Sequence, residues 1–102
     1  MYLIQVLLPR AGRDGRPVDN ALYAATRAEL VEQFQGVTAY LRSPAVGAWT
    51  APDGSVEADE MLMVEVLAAT FDRPWWEAYA GRLATRFGQQ EMHIRALPAE
   101  TL

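Results

Sequence analysis

The chain has no cysteine and no lysine. The first absence removes a disulfide frame, a thiol nucleophile and any thiolate metal site. The second removes Schiff-base chemistry, because no side-chain amine is present to condense with a carbonyl. Histidine occurs once, so one chain cannot build a histidine-rich metal cluster. All nine basic residues are arginine and alanine is abundant, a usage that fits the codon bias of a GC-rich bacterial genome. Positive charge is scarce overall: the net charge is −4 and the pI about 4.8. A nucleic-acid partner usually needs a basic face, so that class is disfavoured. Long apolar runs are missing too. The opening MYLIQVLLPR is too short to span a membrane and has no basic segment ahead of it, as a signal peptide would. The expected location is the cytoplasm, with no membrane partner.

What is present points to one small domain over residues 1–102. Its apolar share, 51%, is high for a soluble domain of this size and leaves apolar surface to hide. Residues 2–8 alternate and are rich in aliphatics, which predicts a strand ended by Pro9. RAGRDGRPV (10–18) reads as a loop. Asp19 or Asn20 can cap a helix running to about Gln35, with Tyr23, Leu30 and Phe34 on its buried stripe. VTAYLRS (37–43) is a second strand. APDG (51–54) has turn chemistry and joins two arms of a hairpin. A long third strand covers about Ala58 to Ala69. Asp72 caps a second helix with Pro74 in its first turn, and Trp76, Ala80, Leu83 and Phe87 share a face. Gly88 stops it, and QEMHIRAL (90–97) is a fourth strand.

That order, strand-helix-strand-strand-helix-strand, is the split βαβ pattern of an α+β, ferredoxin-like domain. It implies a four-stranded antiparallel sheet in spatial order 4-1-3-2, with both helices on one face. The two faces of each strand then sort by content. Ile4, Val6, Leu8, Val64, Val66, Ile94 and their like are wholly apolar and belong under the helices. The other face is mixed. It carries Leu3, Leu7, Met61, Met63 and Leu67 along the two central strands, and Gln5, Tyr40, Arg42, Glu65, Glu91, His93 and Arg95 among them. An apolar patch of that extent usually marks an interface. The simplest solution is a two-fold homodimer with its sheets face to face.

In element order and face pattern, over essentially the whole chain, the sequence resembles the dimeric α/β-barrel superfamily of ferredoxin-like proteins. No family-specific motif accompanies the pattern, so no catalytic residue is carried over from it. The resemblance implies the company of cofactor-free monooxygenases, haem-binding and haem-degrading proteins and small isomerases.

The candidate site is read from position. Glu65 sits in the middle of EMLMVEVLAA, on the mixed face. Gln5 is expected on one side of it and Tyr40 or Arg42 on the other. His93 is expected roughly 10 Å away across Gln5, two strand spacings. Glu65, His93 and Tyr40 are the candidate catalytic residues, with Gln5, Arg42, Met63, Trp49 and Arg95 as candidate ligand contacts. A carboxylate in a partly dry cavity can serve as a general base. It can equally be a structural partner for Arg42 or Tyr40, since buried charges are normally paired. His93 is an acid or base, a single haem ligand, or an interface residue. Trp49 is a lid or a contact with a partner subunit, and Pro44 leaves its face unassigned. Trp75 and Tyr79 flank the second helix and either line a pocket or cover a sheet edge. The arginine-rich 10–18 segment precedes a helix N-terminus, where an anion is conceivable, although it matches no phosphate-loop or dinucleotide motif. The expected function is a cofactor-independent enzyme, monooxygenase- or isomerase-like, acting on a small hydrophobic organic molecule on the open sheet face. The alternative is a non-catalytic, ligand-binding or regulatory dimeric module.

Overall fold

The computed structural model describes the backbone of residues 1–34, 39–41, 45–50 and 56–102, and the side chains of 1–34 and 61–102. The elements are β1 (Tyr2–Pro9), α1 (Asn20–Gln33), β2 (Ala39–Leu41), β3 (Ala45–Thr50), β4 (Val56–Ala68), α2 (Arg73–Arg86) and β5 (His93–Pro98). The class is α+β, two helices with an antiparallel sheet. In that sheet β1 lies between β4 and β5, β2 lies on the other side of β4, and β3 pairs with β4 farther along.

Local chemistry accounts for the helix limits. Asp19 accepts a hydrogen bond from the Ala21 N–H at 2.9 Å and starts α1. Asp72 does the same for the Trp75 N–H at 3.2 Å, with Pro74 in the first turn of α2. Gly88, at φ 63°, takes the left-handed conformation that closes α2 at little steric cost.

Burial in β1 alternates strictly. Ile4, Val6 and Leu8 have no exposed surface, and on β4 Val64, Val66 and Ala68 are buried beside them. Tyr23 and Leu30 of α1 pack on this face together with Trp76, Tyr79 and Leu83 of α2 and the following Phe87. Both helices therefore cover one face of the sheet. An aromatic cluster joins the end of α1 to the start of α2. Phe34 stacks on Trp76 with centroids 5.2 Å apart, and Trp75 stacks on Tyr79 at 4.9 Å.

Three details differ from the sequence reading. A fifth strand, β3, is present, and its partner β4 begins at Val56. β5 begins at His93, so Glu91 and Met92 precede it. On α2 the buried stripe is Trp76, Tyr79, Leu83 and Phe87. Tyr79 is thus in the core, one turn before Leu83, and Ala80 lies at the stripe's margin. A wide aromatic ring fills the gap over the sheet that an alanine methyl leaves open.

Candidate functional site

The register of the sheet sets the geometry of the open face. Glu65 stands opposite Gln5 on β1, and Gln5 stands opposite Arg95 on β5. On its other side Glu65 stands opposite Tyr40 of β2. One row across the sheet therefore reads Tyr40, Glu65, Gln5, Arg95. The row toward the start of β4 is Met63, Leu7, His93, and the row toward its end is Leu67, Leu3, Leu97.

Within these rows burial falls from the centre to the edge. Glu65 is 1% exposed although it lies on the face turned away from the helices. Its neighbours Val64 and Val66 point into the helix-covered core, so the pleat sends Glu65 the other way. The Gln5 Nε2 donates to Glu65 Oε2 over a long 3.4 Å. Gln5, Leu3, Leu7, Met63 and Leu67 are half-buried, whereas His93, Arg95 and Leu97 on the edge strand are exposed. A sheltered carboxylate with aliphatic neighbours above and below can accept a proton or hold a donor group of a bound molecule.

The register corrects one expectation. The residue across Gln5 from Glu65 is Arg95, and His93 belongs to the adjacent row, opposite Leu7. Two strand spacings and two residues along the strand put His93 roughly 12 Å from Glu65. The sheet thus brings together Glu65, Gln5, Tyr40 and Arg95 by register, with Met63 one row away, and leaves His93 outside. His93 is exposed, and among the described residues its row offers only Leu7 and Met63. Arg42 lies outside the described residues. Trp49 is at the far end of β3, opposite Glu57, well beyond the Glu65 row.

A second polar cluster was not anticipated. It lies between the helices. Glu29 forms an ion pair with Arg86 and a longer one, 3.9 Å, with Arg82. Arg86 also donates to the Thr26 hydroxyl at 2.9 Å, and that hydroxyl donates to the Leu22 carbonyl at 2.8 Å. The Tyr79 hydroxyl donates to the Thr26 carbonyl at 3.5 Å, and the Arg82 guanidinium lies 4.9 Å from the centre of the Tyr79 ring. Burial, followed by the negative charge of Glu29, pushes the Tyr79 hydroxyl up to about 12. These groups satisfy one another and fasten α1 to α2. Their signal was in the sequence: Thr26 and Glu29 are three apart, and Tyr79, Arg82 and Arg86 follow helical spacing beside the core stripe.

Among the described residues no group of three His, Asp or Glu is placed to hold a metal ion. No described helix is long and apolar enough to cross a membrane.

No family model matches the sequence, and no curated protein matches it. Two solved structures share the fold. One is a phage SAM lyase in complex with S-methyl-5'-thioadenosine, at a TM-score of 0.63 and 10% identity, covering 94% of this chain and 79% of that one. The other is a mutant CutA1 from Pyrococcus horikoshii OT3, at a TM-score of 0.54 and 12% identity, covering 100% of this chain and 86% of that one. At such identities the likeness is one of fold.

Proposed function

We propose that the chain is a cofactor-independent enzyme with a four-stranded ferredoxin-like core, acting on a small, largely apolar organic molecule at the open sheet face. Glu65 is its general base. Tyr40 and Gln5 flank that carboxylate, Arg95 closes the row, and Met63, Leu3, Leu7 and Leu67 supply the apolar walls. The working form is a homodimer whose sheets face one another, which removes the ligand and the leucine rows from water.

The observation that supports this reading is the burial of a carboxylate, 1% exposed, on the face the helices do not cover. A group there is costly to shelter and is useful where a proton must be moved away from bulk water. The lyase among the structural neighbours is a protein of this fold whose ligand is a small organic molecule, S-methyl-5'-thioadenosine. That compound is accordingly the first probe.

Titration of the wild-type and Glu65→Gln proteins with S-methyl-5'-thioadenosine, each also assayed for turnover of SAM, tests the reading. The variant is expected to lose turnover and to weaken binding by about tenfold or more while remaining folded. Equal binding and turnover in the two proteins would remove Glu65 from the function. A non-catalytic binding module is the second reading. It is favoured by the exposure of His93 on the edge strand, roughly 12 Å from Glu65, and by binding that persists without turnover.

A further inference from the structure

A cleft lies away from the open face. The 10–18 segment, the first turn of α1 and the end of α2 border this open cleft of about 410 Å³, large enough for a small organic molecule. We infer that this cleft binds a small organic anion, a phosphate or carboxylate carried on an apolar body.

The argument begins with the segment that forms its rim. Arg10–Val18 is a folded hairpin. The Val18 N–H donates to the Arg10 carbonyl at 3.0 Å, Gly12 donates to Arg16 at 2.8 Å, and Gly15 donates to Gly12 at 2.9 Å. A bridge joins Ala11 to Pro17, and Gly15 at φ 79° makes the turn that other residues resist. Arg13 and Arg16 are therefore presented from an ordered backbone, so less ordering entropy is lost on binding. Arg86 lines the cleft from the α2 side. Three of the nine arginines thus border one cleft in a chain of net charge −4.

Asp14 and Asp19 also line the cleft, and both are engaged. Asp19 caps α1 through the Ala21 N–H. Asp14 accepts from the Arg16 N–H at 3.0 Å and pairs with the Arg16 guanidinium at 3.6 Å. Arg13 has no ion-pair partner among the described residues. Arg86 is engaged by Glu29 and Thr26, so Arg13 is the guanidinium with capacity to spare, and its fork suits an anionic oxygen pair. Leu22, Val18 and Phe87 form an apolar wall beside them. The pairing of cations with that wall selects an anion with a hydrocarbon or aryl body over a bare ion.

The test uses the whole chain at about 0.15 M salt, where weak surface attraction is screened. Phenyl phosphate, benzoate, inorganic phosphate and neutral benzyl alcohol are titrated in turn, with amide shifts recorded. Phenyl phosphate or benzoate is expected to bind saturably, about tenfold or more tighter than inorganic phosphate and benzyl alcohol, and to move the amides of 12–16, 18 and 86–88. The ratio of phenyl phosphate to benzoate identifies which headgroup the cleft prefers. Arg13→Gln with Arg16→Gln is expected to weaken the better ligand about tenfold or more. Arg13→Gln alone, which leaves every hairpin hydrogen bond in place, is expected to weaken it measurably. Glu65→Gln should bind it unchanged, which separates this site from the open face. Absence of saturable binding by both organic anions, equal binding of benzyl alcohol, or unchanged affinity in folded Arg13→Gln protein would overturn the inference.

Discussion

Glu65 and Tyr79 are both buried and both carry an ionisable oxygen, yet their surroundings differ in kind. Tyr79 lies under the helices, within a network that includes Glu29 and Arg86. Its hydroxyl titrates near 12, above the ordinary 10, because burial and Glu29 both disfavour the phenolate. The folded state therefore favours the protonated form. That stability is fully present below pH 10 and is lost as the pH rises from 10 through 12. In an alkaline absorbance titration one of the four tyrosines is expected to ionise late, and Tyr79→Phe should flatten the loss of stability above pH 10. An identical stability profile in the variant would contradict this assignment. Glu65 instead lies on the open face, where the described hydrogen bond to half-buried Gln5 is long. With Glu65 acting as a functional group at this face, Glu65→Leu is expected to leave a folded dimer. If Glu65 were chiefly the structural anchor of a buried ion pair, removing it would cost about 3–5 kcal/mol and lower the thermal midpoint by more than about 12 °C.

Among the elements, α1 and α2 are joined by two fastenings of different character. The aromatic cluster of Phe34, Trp75, Trp76 and Tyr79 closes one end. The Glu29–Arg86–Thr26 network closes the other, toward the arginine hairpin. Glu29→Gln leaves the Arg86 guanidinium, partly buried, with a neutral partner where it had a carboxylate. A charged hydrogen bond of this kind contributes about 1.5–3 kcal/mol, so the free energy of unfolding should fall by up to that amount, read as a lower denaturant midpoint with the slope unchanged. A variant as stable as the wild type would show that the aromatic end alone holds the helices. Period and capping made both helices legible from the sequence: Asp19, Asp72, Pro74 and Gly88 occupy the positions that helix ends require. Tyr79 was misjudged because a tyrosine three residues from Trp76 suits a flank as well as a core. The hairpin of 10–18 was hidden behind glycines and arginines that read equally well as an open loop, since its stability comes from backbone hydrogen bonds.

At the scale of the whole molecule, the face pattern was the legible part of the site and the register was not. Alternation alone separated Ile4, Val6 and Leu8 from Leu3, Gln5 and Leu7, and so put Glu65 on the open side. No composition signal indicates which residue of β5 stands opposite Gln5. The pairing of Gln5 with Arg95 depends on where the edge strand begins, three residues later than its apolar content suggested. The open face also carries a prediction for assembly. Its leucine rows, ending in Leu97 at 44% exposure, are apolar surface that a second copy can cover. Light scattering should give a mass of about twice 11.3 kDa, and Leu3→Glu with Leu7→Glu should reduce it to one chain. A monomeric wild type would refute the proposed homodimer.

The most direct test of the central claim, that the open face around Glu65 is a small-molecule site, is to find where small molecules bind. Amide chemical shifts would be recorded for the labelled chain against a set of small organic compounds that includes S-methyl-5'-thioadenosine. The account predicts saturable shifts concentrated at residues 3–7 of β1 and 63–67 of β4, and their loss in Glu65→Gln protein. Ligands that shift only other regions, or that shift these strands equally with and without the carboxylate, would contradict it.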